Sequence, residues 1–448
     1  MQRFVLIAIP ILVVSPFLVS LSLLPEPAKL LPEVLSLIAA LCVIVAGVDQ
    51  RFRFVPVKYW LVFGLMAIWI VCGVLANAVG TGPIVAGART YLRALPFFFL
   101  PAVFNFQDVQ IRHQVKLILA LSLMQVPLAI AQRYIILSER RYTGDPVFGT
   151  LMLSSNLSIY LICVVCVLVG MFIRGRISKP IFIMLFMVLL VPTMINETKA
   201  TLLLVPLGVL AAFVIGSPPR KRLGVVIVSI SLIVSFIAIF IPVYDAMNVY
   251  AKHRPPIASL YTEEGRLEEL LNKDVELGTT EHPGRFDAVI VPLRYVLRDP
   301  VHVVFGLGIG NVSESALGKQ FTGEYFQKFV EFSYTSTAVF LLELGVGGAA
   351  LIFLVYWLIF RDALAVARID NKGLRGAIAV GWCGVTAVMA LASFYKSPHN
   401  SEALAYLYWY FSGLVATWRV RMALGIADNL AYNQAARTRV AGPTNAAT

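Results

Sequence analysis

Residues 181–216, "IFIMLFMVLLVPTMINETKATLLLVPLGVLAAFVIG", decide the fold class. Two apolar runs, 181–195 and 200–216, flank a short hinge that holds Glu197 and Lys199. In hydrocarbon every backbone N–H and C=O must pair inside its own segment, and for a single run that means a helix. The hinge is then where one helix leaves the membrane and the next re-enters, and its two charges mark the boundary.

The same alternation runs along the whole chain. Hydrophobic residues make up 59%, charged residues only 14%, and the mean hydropathy is +0.81. An ordinary soluble domain carries about 25% charged residues. These values predict an all-α polytopic membrane protein with about twelve transmembrane helices. The expected spans are 4–24, 31–48, 59–77, 88–104, 114–137, 150–172, 181–195, 200–216, 223–243, 334–360, 376–395 and 402–418. The run 88–104 is short and proline-broken, so a re-entrant segment is the alternative there. The first run lacks a small-residue cleavage site and reads as a retained helix. The chain divides into nine spans within 1–243, one large loop at 244–333, three spans within 334–424, and a polar, Ala-rich tail at 425–448 that reads as disordered. Cys42, Cys72, Cys163, Cys166 and Cys383 all lie in apolar runs, which argues against a disulfide framework. The C-x-x-C at 163–166 has no soluble α/β setting and reads as helix packing.

A net charge of +12 raises the question of nucleic acid, but its distribution answers otherwise. Basic clusters (Arg51/Arg53/Lys58, Arg112/Lys116, Arg174/Arg176/Lys179, Arg220–Arg222, Arg361–Arg375, Arg419/Arg421) alternate with nearly uncharged loops such as "NAVGTGP". The positive-inside bias makes the basic side cytoplasmic, with both termini on it and the large loop outside.

On the outer side, the basic residues that remain are Arg89, Arg93, Arg140, Arg141 and Lys199, with Arg266, Arg285, Arg294 and Arg298 on the large loop. Arg89 and Arg93 lie one helical turn apart at the mouth of an apolar span. Charges at membrane depth face a partner or a water-filled site. Convergent guanidiniums suit a diphosphate, whose oxygens the planar fork binds in pairs. "TEEGRLEELLNK" and "GRFDAVIVPLRYVLRDP" have helical spacing, with Arg294 and Arg298 on one face of the second helix and a kink expected at Pro292. Gly308, Gly310 and Asn311 stand in "GLGIGN", which lacks the βαβ setting of a dinucleotide fingerprint and reads as a turn where backbone approaches a ligand. His253, His282, His302 and His399 lack metal-ligand spacing, so no metal and no cofactor is expected.

The order of these features resembles bacterial O-antigen ligases and O-antigen polymerases, polytopic glycosyltransferases of the GT-C type, over roughly 85–420. The motifs that carry it are "RRYTGDPVFGTLMLSSNLSIYL", "NETKATLLLVPLGVL", "HPGRFDAVIVPLRYVLRDPVHVVFGLGIGN" and "EFSYTSTAVFLLELGVGG". Ligases typically show His-Asn, with the histidine as base, where this chain has "EFSYTST"; that departure favours a polymerase. The resemblance implies transfer of a glycan from a polyprenyl diphosphate to a sugar hydroxyl of another lipid-linked unit, on the periplasmic side of the inner membrane. Ligase-type transfer to lipid A-core is the alternative within the family, and a flippase for lipid-linked oligosaccharide the alternative outside it. The other partners implied are membrane lipid and polysaccharide-assembly proteins such as a flippase or chain-length regulator, with no nucleic acid. In these terms Arg285 holds the leaving diphosphate, assisted by Lys199, Arg89, Arg93 and Arg141. Arg294, Arg298, Gly308, Gly310 and Asn311 are the further binding candidates. Glu331 is the base candidate by position, and His399 its rival.

Overall fold

The structure is a computed structural model that describes residues 1–49, 52, 54–136, 146–196, 198–217, 222–247, 283–315 and 318–440. Arg140, Arg141, Glu197, Arg266 and the first of the two loop helices expected from sequence lie outside the described residues. Among the described residues every α-helix or strand assignment is a helix. They are α1 (Gln2–Ser20), α2 (Leu31–Asp49), α3 (Val57–Ala76), α4 (Thr81–Leu92), α5 (Leu95–Val103), α6 (Asp108–Ala131), α7 (Ser154–Ile173), α8 (Lys179–Ile195), α9 (Thr201–Gly216) and α10 (Arg222–Met247). After the large loop's first part come α11 (Asp287–Val296), α12 (Pro300–Phe305), α13 (Phe326–Phe329), α14 (Ser336–Ile369), α15 (Leu374–Tyr395) and α16 (Glu402–Val440). Eight helical segments among the described residues are long and apolar enough to cross a membrane, and α8 and α9 are shorter apolar helices. The chain is therefore an all-α, multi-pass membrane protein.

Two elements depart from expectation, the run 88–104 and the tail. The run 88–104 is two helices, α4 and α5, joined at Arg93 and Ala94. Pro96 starts α5 because its missing N–H costs nothing in a first turn. Phe97 to Val103 are all buried, so α5 is an interior helix, and the backbone of Phe98 lies against Gly413 of α16. α11 continues through Pro292, which sits on its buried side. α16 runs past 418 as far as Val440.

The centre of the bundle is α15, packed most extensively on α7 and then on α14 and α9. Small residues let the backbones touch: Gly170 of α7 meets Ala377 and Gly381 of α15, and Gly384 of α15 meets the carbonyl of Gly208 of α9. This register is antiparallel for both pairs. It sets the starts of α7 and α9 beside the end of α15.

The two ends of the bundle differ chemically. At one end Arg174 donates to the carbonyls of Ala367 (2.7 Å) and Asn371 (3.1 Å), and Arg375 Nε pairs with Asp108 (2.8 Å). There the fully buried Asp362 receives Lys58 Nζ (2.6 Å), the Tyr59 hydroxyl (2.7 Å) and Arg419. At the other end, residues 283–315 and 318–335 lie on the first half of α14, through a small core of Val296, Leu307, Val312, Phe329, Phe332 and Leu342. α14 is broken at Gly345 (φ 69°), and the carbonyl of Leu342 accepts the N–H of Leu307 (2.6 Å).

Candidate functional site at the end opposite the basic loops

The site begins where α14 and α15 are stapled together. The N–H of Ser336 donates to the carbonyl of Lys396 (3.0 Å), and the Thr337 hydroxyl to that of Ser393 (3.1 Å). Tyr334, just before this staple, and Tyr395, within it, hold the guanidinium of Arg285 at 5.0 and 4.6 Å from their ring centres. Lys396 Nζ lies 5.3 Å from the Tyr334 ring, and the Tyr334 hydroxyl donates to the carbonyl of Pro283 (3.4 Å). Each such cation–ring contact stabilises by about 0.5–2 kcal/mol. Burial raises the Tyr334 phenol above its ordinary pKa, with Arg285 pulling the other way, so it stays protonated beside the cation.

His399 sits on the inner side of the same staple, in the turn between α15 and α16. Its Nδ1 is 2.5 Å from the Ser336 hydroxyl. Its ring packs on Phe340 at 4.8 Å and Tyr91 at 6.3 Å. Burial, and then the charge of Arg93, lower its pKa to about 3, so the imidazole is neutral. Nε2 is buried with no hydrogen-bond partner, and the ring lines an interior cavity with Tyr91, Phe340, Tyr356 and Trp409. In the tautomer whose Nδ1–H donates to the Ser336 hydroxyl, Nε2 carries no hydrogen and is the proton acceptor.

Next to His399, the carbonyl of Asn400 accepts from Arg93 (2.7 Å). Arg93 also lies 3.4 Å from Glu33 and 3.8 Å from Glu402, while Arg89 Nε reaches Glu33 at 2.9 Å. Arg89 and Arg93 thus face the same group, as their spacing predicts, but that group is a carboxylate of the protein.

Three sets of contacts, Arg285 with Tyr334 and Tyr395, Ser336 with His399, and Arg93 with Asn400 and, beside Arg89, with Glu33, are thus joined along one rim by chain neighbours and the Ser336–Lys396 bond. Lys199 is exposed at the start of α9, at this same end by the antiparallel register. Its turn is held by the buried Asn196, whose amide donates to Ser154 (2.8 Å) and Ser158 (2.9 Å) and whose oxygen accepts from Thr198.

The other expected residues lie elsewhere on this end or within its loop. Gly308 and Gly310 both have positive φ (85° and 72°), as a tight turn demands, but the backbone they approach is the protein's own. Gly308 lies against Val79, and Gly310 against Pro83 and Gly87 of α4. Asn311 is buried, donating to Leu307 (3.0 Å) and accepting from Glu324 (3.1 Å). Through these contacts the turn is packed against α4 and against its own loop. Arg294 and Arg298 are exposed and do not share a helix face, because α11 ends at Val296 and Asp299 caps α12 through Val301. Glu331 is half-buried on the turn before α14, whereas His399 is the group that touches α14's first residue.

Sequence reasoning missed the partners. Glu33, Ser336, Tyr334, Tyr395 and Glu402 carry no signature of their own. Glu343, fully buried in α14, was visible as an acid inside an apolar run, a costly placement. It accepts from Tyr91 (3.0 Å) and Ser313 (2.6 Å) and so fastens the loop and α4 to the broken helix. No protein-family model matches this chain, and no curated protein does.

Proposed function

We propose that this chain is a polysaccharide polymerase of the inner membrane, with about twelve spans, both termini cytoplasmic and residues 244–333 on the periplasmic side. It transfers a glycan from a polyprenyl diphosphate to a sugar hydroxyl of another lipid-linked repeat unit. The observation that carries this reading is the rim along which Arg285, Ser336, His399 and Arg93 lie, at the end away from the basic loops.

The acceptor oxygen forms a bond to the donor's anomeric carbon as the bond to the diphosphate oxygen breaks. His399 Nε2 takes the acceptor's proton, and the diphosphate leaves with the bonding electron pair. Arg285 faces that growing charge, with Lys199, Arg89 and Arg93 as further cations. An apolar groove between α6, α7, α15 and α16, lined by Val115, Val164, Val385 and Ala403, suits a prenyl chain entering below the rim.

A ligase-type transfer is the second reading. It draws support from His399 and Asn400, a His-Asn pair brought from another loop to the start of α14, beside the "EFSYTST" stretch where ligases carry theirs. Deleting the gene separates the two. Accumulated single lipid-linked repeat units indicate the polymerase, and long unattached polymer the ligase. An unchanged pool of lipid-linked glycan rejects both.

A further inference from the structure

Arg89 and Arg93 are the cations of the rim nearest His399, and they are engaged by Glu33 in an unusual way. All the contacts from the two guanidiniums to Glu33 go to one oxygen, Oε1: Arg89 Nε at 2.9 Å, Arg89 Nη2, and Arg93 Nη1 at 3.4 Å. Glu33 Oε2 is buried with no hydrogen-bond partner, and so is Arg93 Nε. The Arg93 side chain is only 9% exposed, so this unspent donor is deep in the protein. Each guanidinium has five N–H donors in a fixed fork that matches paired oxygens. One carboxylate oxygen is a poor match for two forks. A group with several oxygens around each phosphorus is a better one.

Charge leads to the same place. Glu33 and Glu402 are the acids set against the two arginines, and a carboxylate so placed weakens their attraction for another anion. Moving one of them away makes the pair a stronger anion site. Glu402 opens α16, which is packed into the core through α5 and α14. Glu33 opens α2, a peripheral helix with Val34, Leu37, Leu41, Val45 and Val48 exposed along it. Moving α2 disturbs far less packing.

We propose that Glu33 is an internal counter-anion. It holds Arg89 and Arg93 when no substrate is bound, and it is displaced when the pair takes a phosphate-type anion, which is a diphosphate if the glycosyl-transfer reading above holds. Glu33 thereby sets the affinity of the rim for its anionic ligand, since a site competent only part of the time binds more weakly by that fraction.

The test is calorimetric titration of the purified full-length protein in detergent with inorganic pyrophosphate. Glu33→Gln should tighten binding about tenfold, and Glu33→Asp, whose shorter side chain retracts from both arginines, should tighten it by less. Arg89→Gln should abolish the gain in either background. Unchanged or weaker binding in both Glu33 variants overturns the proposal and leaves Glu33 as an anchor for α2. Should Glu33→Gln fail to fold, as judged by its thermal midpoint, Glu33→Asp decides alone. A second arm repeats the titration in nanodiscs containing phosphatidylglycerol. Displacement of pyrophosphate by that lipid, stronger in Glu33→Gln, keeps the role of Glu33 and gives the site to a membrane headgroup. Tightened pyrophosphate binding in a protein that makes no polymer from lipid-linked units keeps the proposal and rejects glycosyl transfer. Polymer formation with pyrophosphate binding insensitive to Glu33 does the reverse.

Discussion

Arg285 lies between two phenol rings, 5.0 Å from Tyr334 and 4.6 Å from Tyr395, and remains partly open to solvent. A guanidinium has five N–H donors, more than these neighbours use, and part of its fork can serve a ligand. If it holds the leaving diphosphate, Arg285→Ala should lose on the order of 2–4 kcal/mol of transition-state stabilisation, comparable to losing an oxyanion donor. Arg285→Lys should recover only part of this, because the fork is lost. Polymer formation from lipid-linked repeat units by folded variants measures both, and near-normal turnover in Arg285→Ala would remove the residue from the site. His399 makes a prediction about pH. Its folded pKa is about 3, whereas an exposed imidazole titrates near 6.5. Below pH 6.5 the unfolded chain takes up a proton that the folded chain refuses. The stabilisation is therefore complete above about pH 6.5 and is lost progressively as pH falls towards 3. The thermal midpoint in detergent should drop between about pH 6.5 and 4, and His399→Gln should make that drop shallower. Parallel slopes would show that the imidazole is not buried in its neutral form.

Among the elements, α3, α14 and α16 meet at Asp362. Its carboxylate is wholly buried, while Lys58 and Arg419 keep 29% and 39% side-chain exposure. Breaking a fully buried ion pair costs about 3–5 kcal/mol. Here the orphaned cations reach water, so Asp362→Ala should destabilise by on the order of 2–3 kcal/mol, and Asp362→Asn by less, because the bond from Tyr59 survives. Thermal unfolding in one detergent compares the two; an alanine variant as stable as wild type would mean that the three helices do not depend on this contact. At the other end, the loop before α14 is keyed to α4 by Gly310, whose φ of 72° and contact with Pro83 leave no room for a side chain. Gly310→Ala should cost at least about 1–3 kcal/mol for the backbone strain alone. Its expected signature is local, a faster proteolytic cut within 305–325 with α14 to α16 intact. Uniform protection of that segment would contradict the docking.

For the whole molecule, the asymmetry of charge yields a labelling experiment. Gln327 is exposed on the rim side and Asn371 on the basic side. With the positive-inside orientation, Gln327→Cys should react with a membrane-impermeant thiol reagent in cells opened only at the outer membrane, above the wild-type background. Asn371→Cys should react only after the inner membrane is breached. The reverse pattern would invert the protein and put the rim in the cytoplasm.

The sequence by itself determined the all-α membrane class, the break between α8 and α9 and most helix positions. Burying a backbone in hydrocarbon is a local condition, satisfied or broken run by run. It also marked Arg285 and the Arg89/Arg93 pair, since cations beside apolar runs stand out. Only the tertiary structure decided what those cations meet. Glu33 is 56 residues from Arg89, and Ser336 is 63 from His399. Nothing in the spacing of either residue names its partner. The split of 88–104 into α4 and α5, and the use of Gly308, Gly310 and Asn311 for docking, were decided in the same way. Hydrogen bonds and ion pairs form between side chains that helix packing carries to one place, and that packing depends on where small residues such as Gly170 and Gly381 let backbones touch.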